Sequence, residues 1–133
     1  ILQIQLPDNL PMIESRSHQI QRLFLNLISN ASYALIEKYP DADPDKILLI
    51  TGELLQEKQQ LMVRVVFRDH GVGIPEELLE RVVNPFVTTK PSGEGTGLGL
   101  SISHEIVQKH RGSLTIKSDF GEYTEVIVEL PAN

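Results

Sequence analysis

The sequence predicts a two-layer α/β sandwich, with helices packed on one face of a mixed β-sheet. Two observations carry this expectation. Segments of alternating hydrophobicity and segments with a three- to four-residue apolar period follow in the order strand, helix, two strands, helix, two strands. At 133 residues the chain is a single domain, spanning 1–133, large enough to bury a core without covalent staples.

Taken in order, residues 2–6 alternate apolar and polar as a half-buried strand does, and Pro7-Asp8-Asn9 ends the run. Ser15 or Ser17 can cap a helix over 17–38, whose apolar face is Ile20, Leu23, Phe24, Leu27, Ala31, Ala34 and Leu35. Residues 39–45 form an acidic loop. Its aspartates at 41, 43 and 45 imitate a calcium loop, but Lys46 and Gly52 stand where such a loop needs glycine and glutamate. A solvated turn is the better account. Residues 46–51 and 61–68 are expected as strands joined through a polar turn near 56–60. Pro75 can start a short helix over 76–83. Residues 84–94 show no periodicity and are expected as a long loop able to move. A second long helix is expected over 97–111, ended by Gly112, and then a hairpin of strands 113–118 and 123–130.

Composition removes several classes. A formal net charge of −6 with dispersed basic residues argues against a nucleic-acid or anionic-membrane surface. Cysteine is absent, which leaves neither disulfides nor thiolate metal sites and fits a reducing, cytoplasmic compartment. No apolar run has the length of a membrane span, and no signal peptide opens the chain. The chain starts on Ile1 within a strand-like pattern, so it is expected to be cut from a longer protein.

The stretch Gly93-Glu94-Gly95-Thr96-Gly97-Leu98-Gly99-Leu100 leads directly into the second helical pattern. Glycines allow close backbone approach, and a helix N-terminus offers free N–H groups and a positive dipole end. Together they suit a phosphate. Neither a Walker loop nor a dinucleotide fingerprint can be read here, so the loop belongs to another class of phosphate site. On the first helix Asn26 and Asn30 lie one turn apart and about 40° around. They are either amides on a wet face or hard, neutral ligands for Mg²⁺ beside nucleotide phosphates. Asp69-x-Gly71-x-Gly73 closes the second of the two strands expected over 46–51 and 61–68. It is either a simple turn or a carboxylate that accepts the exocyclic N–H of adenine, with glycines lying flat against the base.

Asn26-x-x-x-Asn30, Asp69-x-Gly71-x-Gly73, Asn84-Pro85-Phe86-Val87-Thr88-Thr89-Lys90 and Gly95-Thr96-Gly97-Leu98-Gly99-Leu100 occur in this order. The set resembles the ATP-binding catalytic domain of two-component sensor histidine kinases, within the Bergerat-type ATPases that include gyrase, the ninety-kilodalton heat-shock chaperones and the mismatch-repair ATPases. The resemblance covers essentially the whole chain, and the Pro-Phe-x-Thr-Thr-Lys wording looks most like nitrogen-regulation and oxygen-sensing kinases.

It implies ATP and Mg²⁺ as cofactors. Asn30 would ligate the metal, and Asn26 would support the metal or the phosphates. Asp69 would read adenine N6, with Gly71 and Gly73 beside the base and Thr124 assisting. Residues 84–94 would form a lid whose Lys90 meets the γ-phosphate. Gly95, Thr96, Gly97, Leu98 and Gly99 would line the phosphates. The implied partners are a histidine-bearing dimerisation domain of the same protein and a response-regulator receiver domain. The isolated domain would be a monomer and its parent a homodimer. Tyr33, Asn84 and Tyr123 depart from the family pattern, which commonly has a basic residue, an acidic residue and a glycine at these places.

Asn26 also distinguishes branches of that superfamily. In ATP-hydrolysing relatives and serine-directed kinases a glutamate usually stands there and removes a proton from water or a hydroxyl. A neutral imidazole already has its lone pair, so an amide suffices and transfer to histidine is favoured over hydrolysis. A regulatory nucleotide-binding module that had lost Asp69 or Asn30 is the third class, and both residues are present. His104-Glu105 imitates a phosphoacceptor pair, but it lies on the helix after the glycine run rather than in an upstream hairpin. His70 is given no role.

Overall fold

The computed structural model describes residues 2–5, 17–57, 59–76 and 98–131. In chain order these form β1 (Leu2–Gln5), α1 (Ser17–Lys38), β2 (Leu48–Glu57), β3 (Gln60–Asp69), α2 (Leu98–Lys109), β4 (Ser113–Asp119) and β5 (Tyr123–Pro131). The strands make a single five-stranded sheet in the order β1-β2-β3-β5-β4. β1 runs parallel to β2, and every other pairing is antiparallel. Both helices pack on one face, α1 against β2 and β3 and α2 against β4 and β5, and they also pack against each other. The mixed sheet with a single helical layer is the expected sandwich.

The helices form because their apolar residues recur at the spacing of one face. Leu23, Leu27, Ala31 and Leu35 of α1 and Ile106 and Val107 of α2 are buried, against Val63, Val65 and Phe67 of β3 and Val128 and Leu130 of β5. Burying each such aliphatic side chain contributes about 1.5–3 kcal/mol. The rings of Phe24 and Phe67 meet with centroids 5.5 Å apart and planes at 59°, a tilted contact that fixes α1 over β3.

Two boundaries differ from expectation. β2 was expected to end at Thr51 but continues to Glu57, paired residue by residue with β3 as far as Glu57 opposite Gln60. Only two residues separate the paired strand ends, and the turn between them has Gln59 at φ 68°. No Asn-Gly or Asp-Gly announces it, and Gly52 inside the strand reads as a break. Along the extension Arg64 binds Glu53 and Glu129, its register partners on either side, at 3.0 Å each. This row lies on the face away from the helices.

The end of α2 also has another cause. The residue in the left-handed region is Arg111 at φ 61°, not Gly112. Arg111 N–H donates to the Gln108 carbonyl at 3.0 Å and Gly112 N–H to the Val107 carbonyl at 2.9 Å, the paired bonds of a Schellman cap. Gly112 is required for closeness instead. A Cβ there would fall on the Glu129 carbonyl oxygen and lie 2.9 Å from Leu130 Cδ2.

Candidate nucleotide site

Along β3 burial alternates, and Val63, Val65, Phe67 and Asp69 all face the helices. Asp69 thus stands at a core position of the strand and is only 4% exposed. Its carboxylate accepts the Gly71 N–H at 2.9 Å, which fixes its rotamer. Burial pushes the carboxyl up from 3.8 to about 6, and the Gly71 N–H, which favours the ionised form, pulls part of the way back.

Register places the neighbours. Asp69 is paired with Thr124 on β5, and Thr124 with Ser118 on β4. Thr124 is buried at 8% exposure. Its hydroxyl lies 3.2 Å from Ser118 Oγ. Ser118 Oγ also donates to the Tyr123 carbonyl at 2.7 Å and accepts the Ile74 N–H at 2.7 Å. The three inner rows before this one are apolar. At the last row the sheet turns polar: Asp69, Thr124 and Ser118 in a line.

The segment after β3 is clamped from two sides. A Cβ on Gly71 would meet the backbone carbon and oxygen of Ala34 at 2.7 Å, so only glycine lets the loop lie on α1. Gly73 has φ +75°, and a Cβ there would lie 2.6 Å from the Asp119 carbonyl oxygen in the β4–β5 turn. Gly121 of that turn donates its N–H to the Val72 carbonyl at 2.6 Å, and Lys38 Nζ, at the end of α1, donates to the Gly121 carbonyl at 2.5 Å. Both glycines therefore have an intramolecular reason to be glycine.

The same contact ties the helix residues to the strand residues. Ala34, on which Gly71 rests, is one turn past Asn30 and two past Asn26, rises of about 6 and 12 Å along the axis. Both asparagines are partly exposed. α1 thus carries Asn26 and Asn30 in a file that runs down to the Asp69–Gly73 segment. Among the described residues no three His, Cys, Asp or Glu side chains gather as a metal cage. The hard donors that this file carries are amide oxygens. They fit an ion that keeps waters and takes most of its ligands from phosphates, as Mg²⁺ does.

Leu98 and Gly99 open α2. Lys90, Gly95, Thr96 and Gly97, the expected short helix over 76–83 beyond Glu76 and the expected lid over 84–94 lie outside the described residues. The departure at Tyr123 has a simple resolution. Strand alternation turns its side chain away from Thr124, and the ring lies under the Arg68 guanidinium, 4.0 Å from the centroid, on the far face of the sheet. Arg68 pairs there with Glu125 at 3.0 Å. Sequence reasoning missed Ser118 and Lys38. The available signal for Ser118 was its place in Leu114-x-Ile116-x-Ser118, where an inward alternation turns polar.

Residues 15–133 match the family described as histidine kinase-, DNA gyrase B-, and HSP90-like ATPase. Sporulation kinase E of Bacillus subtilis is 33% identical over 130 residues, which cover 98% of this chain and 16% of that protein. The two-component sensor PprA of Pseudomonas aeruginosa is 36% identical over 125 residues, 94% of this chain and 13% of that protein. This chain thus spans about a sixth or less of either. Among solved structures, the nucleotide-free catalytic domain of histidine kinase ThkA superposes with a TM-score of 0.77 at 30% identity, over 98% of this chain and 78% of that one. No helix among the described residues is long and apolar enough to cross a membrane. The chain belongs to the histidine kinase-, gyrase B- and HSP90-like ATPase family, and within it is a catalytic domain of the histidine-kinase type.

Proposed function

We propose that this domain binds ATP with Mg²⁺ and donates the γ-phosphate to a histidine on a separate dimerisation domain of a cytoplasmic kinase module, for onward transfer to a response-regulator aspartate. The observation that supports this most is the buried row of Asp69 and Thr124 beside the Asn26–Asn30 file. Adenine would enter at the row, with N6–H donating to the Asp69 carboxylate and the base lying along Gly71 and Gly73. The phosphates would lie along α1 toward Asn30 and Asn26. Phosphoryl transfer of this kind is mostly positioning and charge neutralisation. Mg²⁺ would supply charge at the phosphates and be held by the Asn30 amide oxygen with Asn26 in support. Lys90 and the N–H groups of Gly95, Thr96, Gly97, Leu98 and Gly99 would cradle the phosphate oxygens. Asn26 is not a base, and a neutral imidazole acceptor does not call for one.

The test is to mix the domain with Mg²⁺, labelled ATP and its cognate dimerisation domain. Acid-labile phosphohistidine is the expected product. Free phosphate alone would instead mark a hydrolase, and no turnover a regulatory nucleotide-binding module.

A further inference from the structure

Ser118 carries a consequence for which base the site accepts, and it follows from the direction of its hydrogen bonds. A serine hydroxyl has one proton to give and two lone pairs to receive. The Tyr123 carbonyl, 2.7 Å away, can only accept, so the Ser118 proton goes there. The Ile74 N–H can only donate, so it fills one lone pair at 2.7 Å. The Thr124 hydroxyl at 3.2 Å is left with one role toward Ser118, that of donor into the second lone pair. Were Ser118 to donate to Thr124 instead, its oxygen and the Tyr123 oxygen would face each other at 2.7 Å with no proton between them.

The proton of Thr124 is therefore held toward β4, and only lone pairs are presented elsewhere. Its cross-strand partner Asp69, when ionised, is likewise an acceptor. We infer that Ser118 is a specificity-determining positioning residue: by fixing the Thr124 hydroxyl as an acceptor, it makes the Asp69–Thr124 pair select purines with an exocyclic 6-amino group and reject 6-oxo purines. This rests on the adenine-nucleotide reading above. A 6-oxo group would turn its own lone pairs on two acceptors, and a buried mismatch of this kind is what gives polar sites their large discrimination. Neither residue motif nor exposure singles Ser118 out. Its three hydrogen bonds do.

The test compares ATP with inosine triphosphate, which differs at the 6-position and at N1, both as Mg²⁺ complexes, by titration calorimetry on the domain. Wild type, Ser118→Ala, Ser118→Cys and Ser118→Thr are measured. Ser118→Ala frees the Thr124 hydroxyl to turn its proton toward a 6-oxo group. The affinity ratio of ATP to inosine triphosphate is expected to fall about tenfold, the worth of one hydrogen bond. Ser118→Thr keeps the hydroxyl and is expected to restore the ratio. A structural defect alone would weaken both nucleotides together and leave the ratio in place. Ser118→Cys keeps the side-chain volume with a weak thiol donor and gives the same readout if the alanine variant does not fold. An unchanged ratio in the Ala or Cys variant, or a lost ratio in the Thr variant, overturns the role of Ser118 while leaving nucleotide binding intact. A wild type that binds ATP and inosine triphosphate equally also overturns it. Binding of neither by the wild type overturns the adenine-nucleotide reading itself.

Discussion

Asp69 and Thr124 stand directly opposite each other at the end of β3 and the start of β5, both turned toward the helices and both buried. In the rows before them the same positions hold Phe67 with Val126 and Val65 with Val128. A carboxyl in this place works against the fold when it is charged.

That cost has a defined pH window. The Asp69 carboxyl rises from 3.8 to about 6 in the folded state because burial disfavours its charge. Between these values the native state holds a proton that the unfolded chain has lost, so stability falls as pH rises through the window and levels off above it. The interval corresponds to roughly 3 kcal/mol between the two protonation states. Urea denaturation of wild type and Asp69→Asn from pH 4 to 8 is expected to show the wild type losing ground to the variant up to pH 6 and holding a constant deficit beyond. A difference independent of pH would contradict the burial of a titrating carboxyl.

Asn30→Ala is expected to remove the Mg²⁺-dependent part of ATP binding. Affinity measured with Mg²⁺ should fall toward the value measured with EDTA, about tenfold or more for the loss of one ligand bond. A retained Mg²⁺ effect would move the metal away from this file.

Gly71→Ala is expected to destabilise the fold by about 1–3 kcal/mol, since its methyl group would meet backbone rather than a yielding side chain. The loop must then lift from α1, so ATP affinity should fall with it. Denaturation and calorimetry on the same variant check both. An effect on stability with none on binding would separate Gly71 from the site.

At the end of α2 two substitutions are expected to act in opposite directions. Arg111→Gly relieves a non-glycine residue at φ 61° and should stabilise by about 0.5–1 kcal/mol. Gly112→Ala drives a methyl group onto the Glu129 carbonyl and should destabilise. Melting temperatures of the two variants decide between this geometry and a glycine cap at 112.

Much of this was legible in the sequence, and the parts that were not have physical reasons. The helix over 17–38 was clear because its apolar period runs unbroken from Ile20 to Leu35. Asp69 was found by its place before Gly71 and Gly73, although the reason for those glycines, contact with Ala34 and with the β4–β5 turn, needs the fold. The outer half of β2 was lost because Gly52 resembles a break and the turn at Gln59 uses no turn residue that announces itself. For Ser118 the alternation Leu114-x-Ile116-x-Ser118 shows only that an inward position turns polar; what it does there depends on the residue it faces on the adjacent strand, and register is not written in one strand alone. Gly112 was noticed for the wrong reason. The cap geometry sits one residue earlier, on Arg111, where no local signal favours it.

The most direct test of the account is titration calorimetry of Mg²⁺·ATP against wild type and Asp69→Asn. The substitution is nearly isosteric, and the amide oxygen can keep the Gly71 N–H that Asp69 Oδ1 now accepts. The amide NH₂ then takes the place of the other carboxylate oxygen and sets a donor against the donor N6–H of adenine. Affinity is expected to fall about a hundredfold while the folded protein becomes no less stable at neutral pH. Equal affinity in a folded variant would contradict base recognition at Asp69, and with it the site.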